Sequence, residues 1–198
     1  MLEFKNVIVK LSSGDMTKPF SLVLNRGEVA CICSSSIWGK TKLLHSVLGM
    51  APSDGGYITI DGEQVVPAAA DYFRQMIAYV PYQLPDVPML VSELCDMVFG
   101  IKVNASAKLN REALQPIWQG MGIDQSWFDE NITELTTTQL QLVMISMLPL
   151  LKRPIVLIDN APQTPMVGQL MHDLASNGAE VLYTCEDNMI ASDKIINF

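Results

Sequence analysis

Basic residues are scarce in this chain: 13 Lys and Arg stand against 21 Asp and Glu, for a net charge of −8. Nucleic acid is therefore not expected as a partner, because a phosphate backbone needs clustered positive charge. Charged residues of either sign make up only 17%, while apolar ones reach 49%, a balance that excludes disorder and calls for extensive burial. Long hydrophobic runs are missing too. The longest, Leu142 to Leu151, is interrupted by Ser146 and Pro149 and is too short to cross a bilayer. The opening Met1-Leu2-Glu3-Phe4-Lys5 lacks the basic-then-apolar layout of a signal peptide, so a cytoplasmic protein is expected. Histidine occurs only as His45 and His172, neither with a neighbour suggesting catalysis or metal ligation. Of four cysteines, Cys31 and Cys33 alternate on one strand face and read as small buried hydrophobes. No second Cys/His pair at ligand spacing supports a zinc site. There is no internal repeat and no low-complexity segment.

What is present is a strong local pattern around Lys40. The apolar run Val29–Cys33 leads through Ser34-Ser35-Ser36-Ile37-Trp38-Gly39-Lys40-Thr41-Lys42 into the amphipathic stretch from Leu43 to Gly49. Strand, tight loop and helix is the setting in which backbone N–H groups and a helix dipole converge on an anion. Gly39-Lys40-Thr41 completes the phosphate-loop pattern G-x-x-x-x-G-K-S/T, with Ser34 in place of its first glycine. The loop Ser36, Ile37, Trp38, Gly39, Lys40, Thr41 and Lys42 is the candidate nucleotide site. In that pattern the lysine reaches the β- and γ-phosphates and the hydroxyl ligates Mg²⁺.

Elsewhere, strands are expected over residues 2–11, around 20–24, at 57–60, 77–81, 155–159 and 180–184, and at 194–198 as an edge. Met166, Val167, Leu170, Met171 and Leu174 mark one helical face. Residues 84–150 carry longer helical patterns and several prolines. Alternating strands and helices predict an α/β fold with a mainly parallel sheet, and the helical block is an insertion.

In this order the landmarks resemble the nucleotide-binding subunit of an ABC transporter over nearly the whole chain. Arg26-Gly27-Glu28 resembles the family's lead-in to the phosphate-loop strand. The segment Gly55-Gly56-Tyr57-Ile58-Thr59-Ile60-Asp61-Gly62 is similar to its S-G-x-I-x-x-D-G. Ile77-Ala78-Tyr79-Val80-Pro81 resembles the strand before its Q-loop. Leu135-Thr136-Thr137-Thr138-Gln139-Leu140-Gln141 resembles its L-S-G-G-Q-x-Q signature, and Ile155 to Asp159 its Walker B strand. The resemblance implies one domain over 1–198: a P-loop NTPase core of 1–83 and 150–198 with an N-terminal antiparallel β part, and a helical subdomain at about 84–149. It implies ATP and Mg²⁺ as cofactors, Thr41, Asp159 and a shifted Gln83 as magnesium positions, and a place on the inner face of the cell membrane. The implied partners are a membrane-spanning subunit, met around Gln83–Met97, where Pro85 and Pro88 stiffen the loop and the apolar Val87, Met89, Leu90 and Val91 suit a partner helix, and a second nucleotide-binding subunit, identical or not.

The departures from the family bear on chemistry. Ile37 replaces a second glycine; if that position needs a positive φ, a β-branched residue is strained there, and Trp38 beside it adds bulk where phosphate approaches the backbone. The ring that stacks on adenine in the family has no counterpart at Val9 to Leu11. Thr137 and Thr138 replace the signature glycines, Asn160 the glutamate that polarises water, and Cys185 the switch histidine. An amide cannot accept a proton, so hydrolysis by this chain alone is expected to be weak or absent. The other expectation is a non-hydrolysing pseudoenzyme that uses the fold as a binding or regulatory module.

Overall fold

The computed structural model describes residues 1–84, 86–104 and 110–198. It divides into two compact units, Met1–Pro81 with Arg153–Phe198, and Tyr82–Lys152.

In the first unit, β1 (Leu2–Ile8), β2 (Phe20–Leu24), β4 (Gly55–Ile60) and β5 (Glu63–Gln64) form an antiparallel sheet in the order β2-β1-β4-β5. A parallel sheet carries β3 (Val29–Cys33), β6 (Ile77–Val80), β7 (Ile155–Ile158), β8 (Glu180–Cys185) and β9 (Lys194–Asn197) in the order β6-β7-β8-β3-β9. All residues of β3, β7 and β8 are buried, as a sheet covered on both faces requires. One face packs Ala30, Ile32, Leu157 and Leu182 with Leu43, Leu44, Val47 and Leu48 and with Leu2, Phe4, Ile58 and Ile60 of the antiparallel sheet. Leu43, Leu44 and Val47 lie on α1 (Ile37–Val47), and Leu48 caps its end. The short helix α2 (Ala70–Arg74) precedes β6. The later helix α6 (Pro165–Ser176) packs on β3 and β8 through a face that includes Val167, Leu170, Met171 and Leu174.

The first strand ends at Ile8, short of the expected residue 11. Its register shifts against both neighbours, and Asn6 takes a φ of +50°. Opposite this irregularity sits Gly56, with φ +66°; a Cβ there would lie 2.2 Å from the Asn6 carbonyl oxygen. Only glycine fits that approach. Lys10 then makes an isolated bridge to Met16.

The second unit contains α3 (Val91–Phe99), α4 (Arg111–Met121) and α5 (Thr137–Leu151), with short 3-10 turns at Lys102–Asn104, Gln125–Asp129 and Ile132–Glu134. Trp118 is buried, and its indole N–H donates to Ser146 Oγ at 2.8 Å. The apolar stretch expected to be open to a partner helix is divided: Val87 and Leu90 are exposed, whereas Val91 is fully buried at the start of α3 and belongs to the core. Pro85 lies outside the described residues. Among the described residues no helix is long and apolar enough to cross a membrane.

Candidate nucleotide site

Strand β3 delivers the chain to Ser34, whose backbone N–H donates to the carbonyl of Cys185 at 3.0 Å. After Ser35 the chain turns, and Ser36 caps α1 in an extended conformation. Its hydroxyl accepts the N–H of Gly39 at 3.2 Å and that of Ser12 at 2.9 Å. The Ser36 carbonyl takes the Lys40 N–H at 3.1 Å. The helix thus begins at Ile37, earlier than the amphipathic pattern from Leu43 suggested, because the Ser36 side chain satisfies the Gly39 N–H, one of the orphan donors of the first turn. The strain expected of Ile37 does not arise. It is a helical residue, and no non-glycine residue between 34 and 42 has a positive φ. Ile37 and Trp38 point outward, 43% and 52% exposed. A Cβ on Gly39 would meet Ser36 Oγ at 3.0 Å, so glycine keeps this cap closed.

Lys40 is fully buried and its ammonium donates to Asn160 Oδ1 at 2.8 Å. Thr41 Oγ1 donates to Asp159 Oδ2 at 2.5 Å, and Thr184 Oγ1 to Asp159 Oδ1 at 3.0 Å. Asn160 is held in turn by its N–H donating to Thr184 Oγ1 at 2.7 Å, with a left-handed φ of +49° that asparagine tolerates. Burial lowers the affinity of Lys40 for its proton, while the Cys185 and Asp159 charges oppose that. Burial raises the Asp159 carboxyl above its usual range against the lowering effect of the two threonine donors. Three of the expected positions, Lys40, Thr41 and Asp159, are therefore brought together with Asn160, while Gly39 holds the helix cap with Ser36. The oxygens of Thr41 and Asp159 are hard donors that fit Mg²⁺, and a buried ammonium beside them fits a phosphate oxygen. Lys42 turns elsewhere, pairing with Asp54 at 2.6 Å and lying over the Trp38 ring at 5.3 Å. Gln83 belongs to the second unit, exposed in irregular backbone, and its magnesium role stands as a proposal.

Two features were not anticipated. An open hollow of about 450 Å³ is lined by Lys10, Leu11, Ser12, Ser13, Gly14 and Trp38, so an aromatic wall does border the Val9 to Leu11 segment, supplied from the phosphate loop. Trp38 carried that signal in the sequence, but only as bulk. The second is a thiol cluster. Cys31 and Cys33 share a face as expected, and β8 brings Cys185 to them, with Sγ separations of 3.2, 3.3 and 3.5 Å. Cys185, hydrogen-bonded by Cys31 and Cys33 and near the Lys40 charge, is held down to about 7, whereas burial pushes Cys33 up.

In the second unit, Thr136 caps α5 in a reciprocal box with Gln139. The Gln139 N–H donates to Thr136 Oγ1 at 3.3 Å, and the Thr136 N–H donates to Gln139 Oε1 at 2.8 Å. The signature-like segment therefore opens a helix, with Thr137 and Thr138 in its first turn.

Comparison with known proteins agrees with this geometry. The ABC transporter family matches residues 17–163. The spermidine/putrescine import ATP-binding protein PotA of Mesoplasma florum is 27% identical over 161 residues, covering 80% of this chain and 45% of PotA. The chain thus spans under half the length of that relative. Among solved structures, an ABC transporter ATP-binding protein of Pyrococcus furiosus superposes with a TM-score of 0.76 at 14% identity, over 99% of this chain and 96% of that one. The dimeric ATP-binding cassette MJ0796, bound to ADP and phosphate, gives 0.75 at 20% identity, over 100% and 94%. Matched over most of its length and folded like these cassettes, the chain belongs to the ABC transporter family as a nucleotide-binding domain.

Proposed function

We propose that this chain is the ATP-binding subunit of an ABC transporter and that it turns ATP over weakly or not at all when alone. The observation that carries this is the 2.8 Å contact between Lys40 and Asn160. The position after Asp159, where a general base would stand, holds an amide that orients the phosphate-binding lysine and cannot take a proton from water. Lys40 would bind the terminal phosphates, with Ser36, Ile37, Trp38, Gly39 and Lys42 framing the loop. Thr41 and Asp159 would hold Mg²⁺, which would supply charge neutralisation when bound, and the family resemblance adds Gln83 as a magnesium residue. Residues 1–198 act as one domain, with 1–83 and 150–198 as its core and about 84–149 as a helical subdomain. A membrane-spanning subunit docks near Gln83–Met97 through Val87 and Leu90, and a second nucleotide-binding subunit, identical or better equipped, completes the site. The protein works at the inner face of the cell membrane, and no nucleic acid is involved. Calorimetry with Mg·ATP tests binding: micromolar affinity with negligible steady-state hydrolysis is expected. Turnover at ordinary transporter rates would refute the assignment.

A pseudoenzyme that binds no nucleotide is the second reading, and Ser36 favours it. Its hydroxyl already occupies the Gly39 N–H, one of the donors a phosphate would need. No heat on adding Mg·ATP, with a membrane partner still captured, would select this reading.

A further inference from the structure

Three of the four cysteines come together in the first unit, and nothing in the nucleotide reading uses them as a group. Cys31 and Cys33 alternate along β3, so both point to one face. The β3–β8 ladder pairs Cys31 with Tyr183 and Cys33 with Cys185, so Cys185 joins that face from the neighbouring strand. All three side chains are buried, Cys33 most open at 8%. Each sulfur has the other two within 3.2 to 3.5 Å, a closed triangle in which no two share a disulfide. We propose that Cys31, Cys33 and Cys185 form a three-thiolate site for one thiophilic d¹⁰ cation, Zn²⁺ or Cu⁺.

The geometry suits such an ion with little movement. Zn–S bonds of about 2.3 Å in a tetrahedral site set sulfurs about 3.8 Å apart, so the triangle opens by only a few tenths of an ångström. Both strands are central in the sheet, which fixes the donors before the ion arrives. Cys31 and Cys33 are two residues apart on one strand, and Cys185 completes the set through 152 residues of chain, which is why spacing alone did not reveal it. Binding releases the proton of each thiol it engages, and the Lys40 ammonium, whose charge acts on Cys185 and Cys33, offsets part of the accumulated negative charge. Cu⁺ is satisfied by soft thiolates, whereas Zn²⁺ would take a fourth ligand from solution at the Cys33 side. The carbonyl of Cys185 receives the Ser34 N–H, so an occupied site braces the root of the phosphate loop.

The full chain, purified reduced and metal-free, is titrated without oxygen with Cd²⁺ as a spectroscopic probe, then with Zn²⁺ and Cu⁺ against chelators. One Cd²⁺ per chain with thiolate-to-metal absorption is expected. The ion that resists its chelator distinguishes Zn²⁺ from Cu⁺. Cys31→Ser, Cys33→Ser and Cys185→Ser should each weaken binding by more than the roughly 10–100-fold that a supporting residue costs. Cys95→Ser should leave it unchanged. If a variant fails to fold, X-ray absorption on the wild-type protein loaded with Cd²⁺ counts the sulfur neighbours directly, and three are expected. An absence of bound ion, a shell of oxygen and nitrogen, or binding that survives the triple serine variant would overturn the site. None of these outcomes depends on ATP.

Discussion

The Lys40 ammonium on α1 and the Asn160 amide beyond β7 hold each other at 2.8 Å, 120 residues apart in sequence. On the proposed reading both sit where a triphosphate would enter, and the lysine is already occupied by the protein's own oxygen.

Asn160→Ala removes that oxygen and leaves a buried ammonium short of an acceptor. The expected result is a loss of about 1.5–3 kcal/mol in urea unfolding, since hydrogen bonds to charged groups are worth that much. Mg·ATP should restore more stability to this variant than to wild type. Equal responses of the two proteins to nucleotide would show that Lys40 does not meet phosphate.

Asp159 makes a pH-dependent prediction. Its carboxyl is raised by burial, so the folded state binds more protons than the unfolded one. Stability contributed by this group is complete below about pH 4 and is lost as pH rises through the higher folded value. Asp159→Asn should therefore unfold at or above the wild-type temperature at pH 7, with the advantage shrinking towards pH 4. The same variant should lose any magnesium dependence of ATP binding, read by calorimetry. A variant less stable than wild type at pH 7 would reverse the sign argued here.

Ser36→Ala deletes the cap of α1, and a cost of about 0.5–2 kcal/mol is expected in thermal or urea melts. It also releases the Gly39 and Ser12 N–H groups that the hydroxyl now receives. Phosphate and ATP should bind the variant at least as well as they bind wild type. Loss of anion affinity would mean the hydroxyl itself contacts the ligand.

Trp38 is 52% exposed on the wall of the hollow beside Ser12, while Trp118 is buried and Trp127 half-buried, both in the other unit. ATP should change the fluorescence of the wild-type protein, and Trp38→Leu should abolish the change and weaken binding. An unaltered response in Trp38→Leu would remove the hollow from the nucleotide site.

Much of this arrangement was legible locally. A strand feeding Gly39-Lys40-Thr41 and an apolar strand closing on Asp159 carry their own pattern, and the two do meet through Thr41 and Asp159. The early start of α1 was hidden because a glycine-based loop was expected at Ile37, whereas the Ser36 hydroxyl makes a helical turn there favourable. Asn160 was noticed for the base it lacks, but its grip on Lys40 depends on where β7 ends relative to α1. The thiol triangle needed the strand order, since only β8 lying beside β3 brings Cys185 within reach. Val91 read as open to a partner because its neighbours are apolar loop residues, yet it starts α3 facing inward.

Strand β9 lies along β3, pairing Ala30 with Lys194 through to Cys33 with Asn197, and the Phe198 N–H closes the row on the Cys33 carbonyl. Without residues 194–198, that side of β3 becomes an unpaired rim on a wholly apolar strand, the kind of edge that recruits another chain. A truncated protein should therefore self-associate and precipitate, seen as early elution and turbidity, even with the phosphate loop untouched. Colloidal behaviour thus hangs on residues 194–198, which shield the outer side of β3 from other chains.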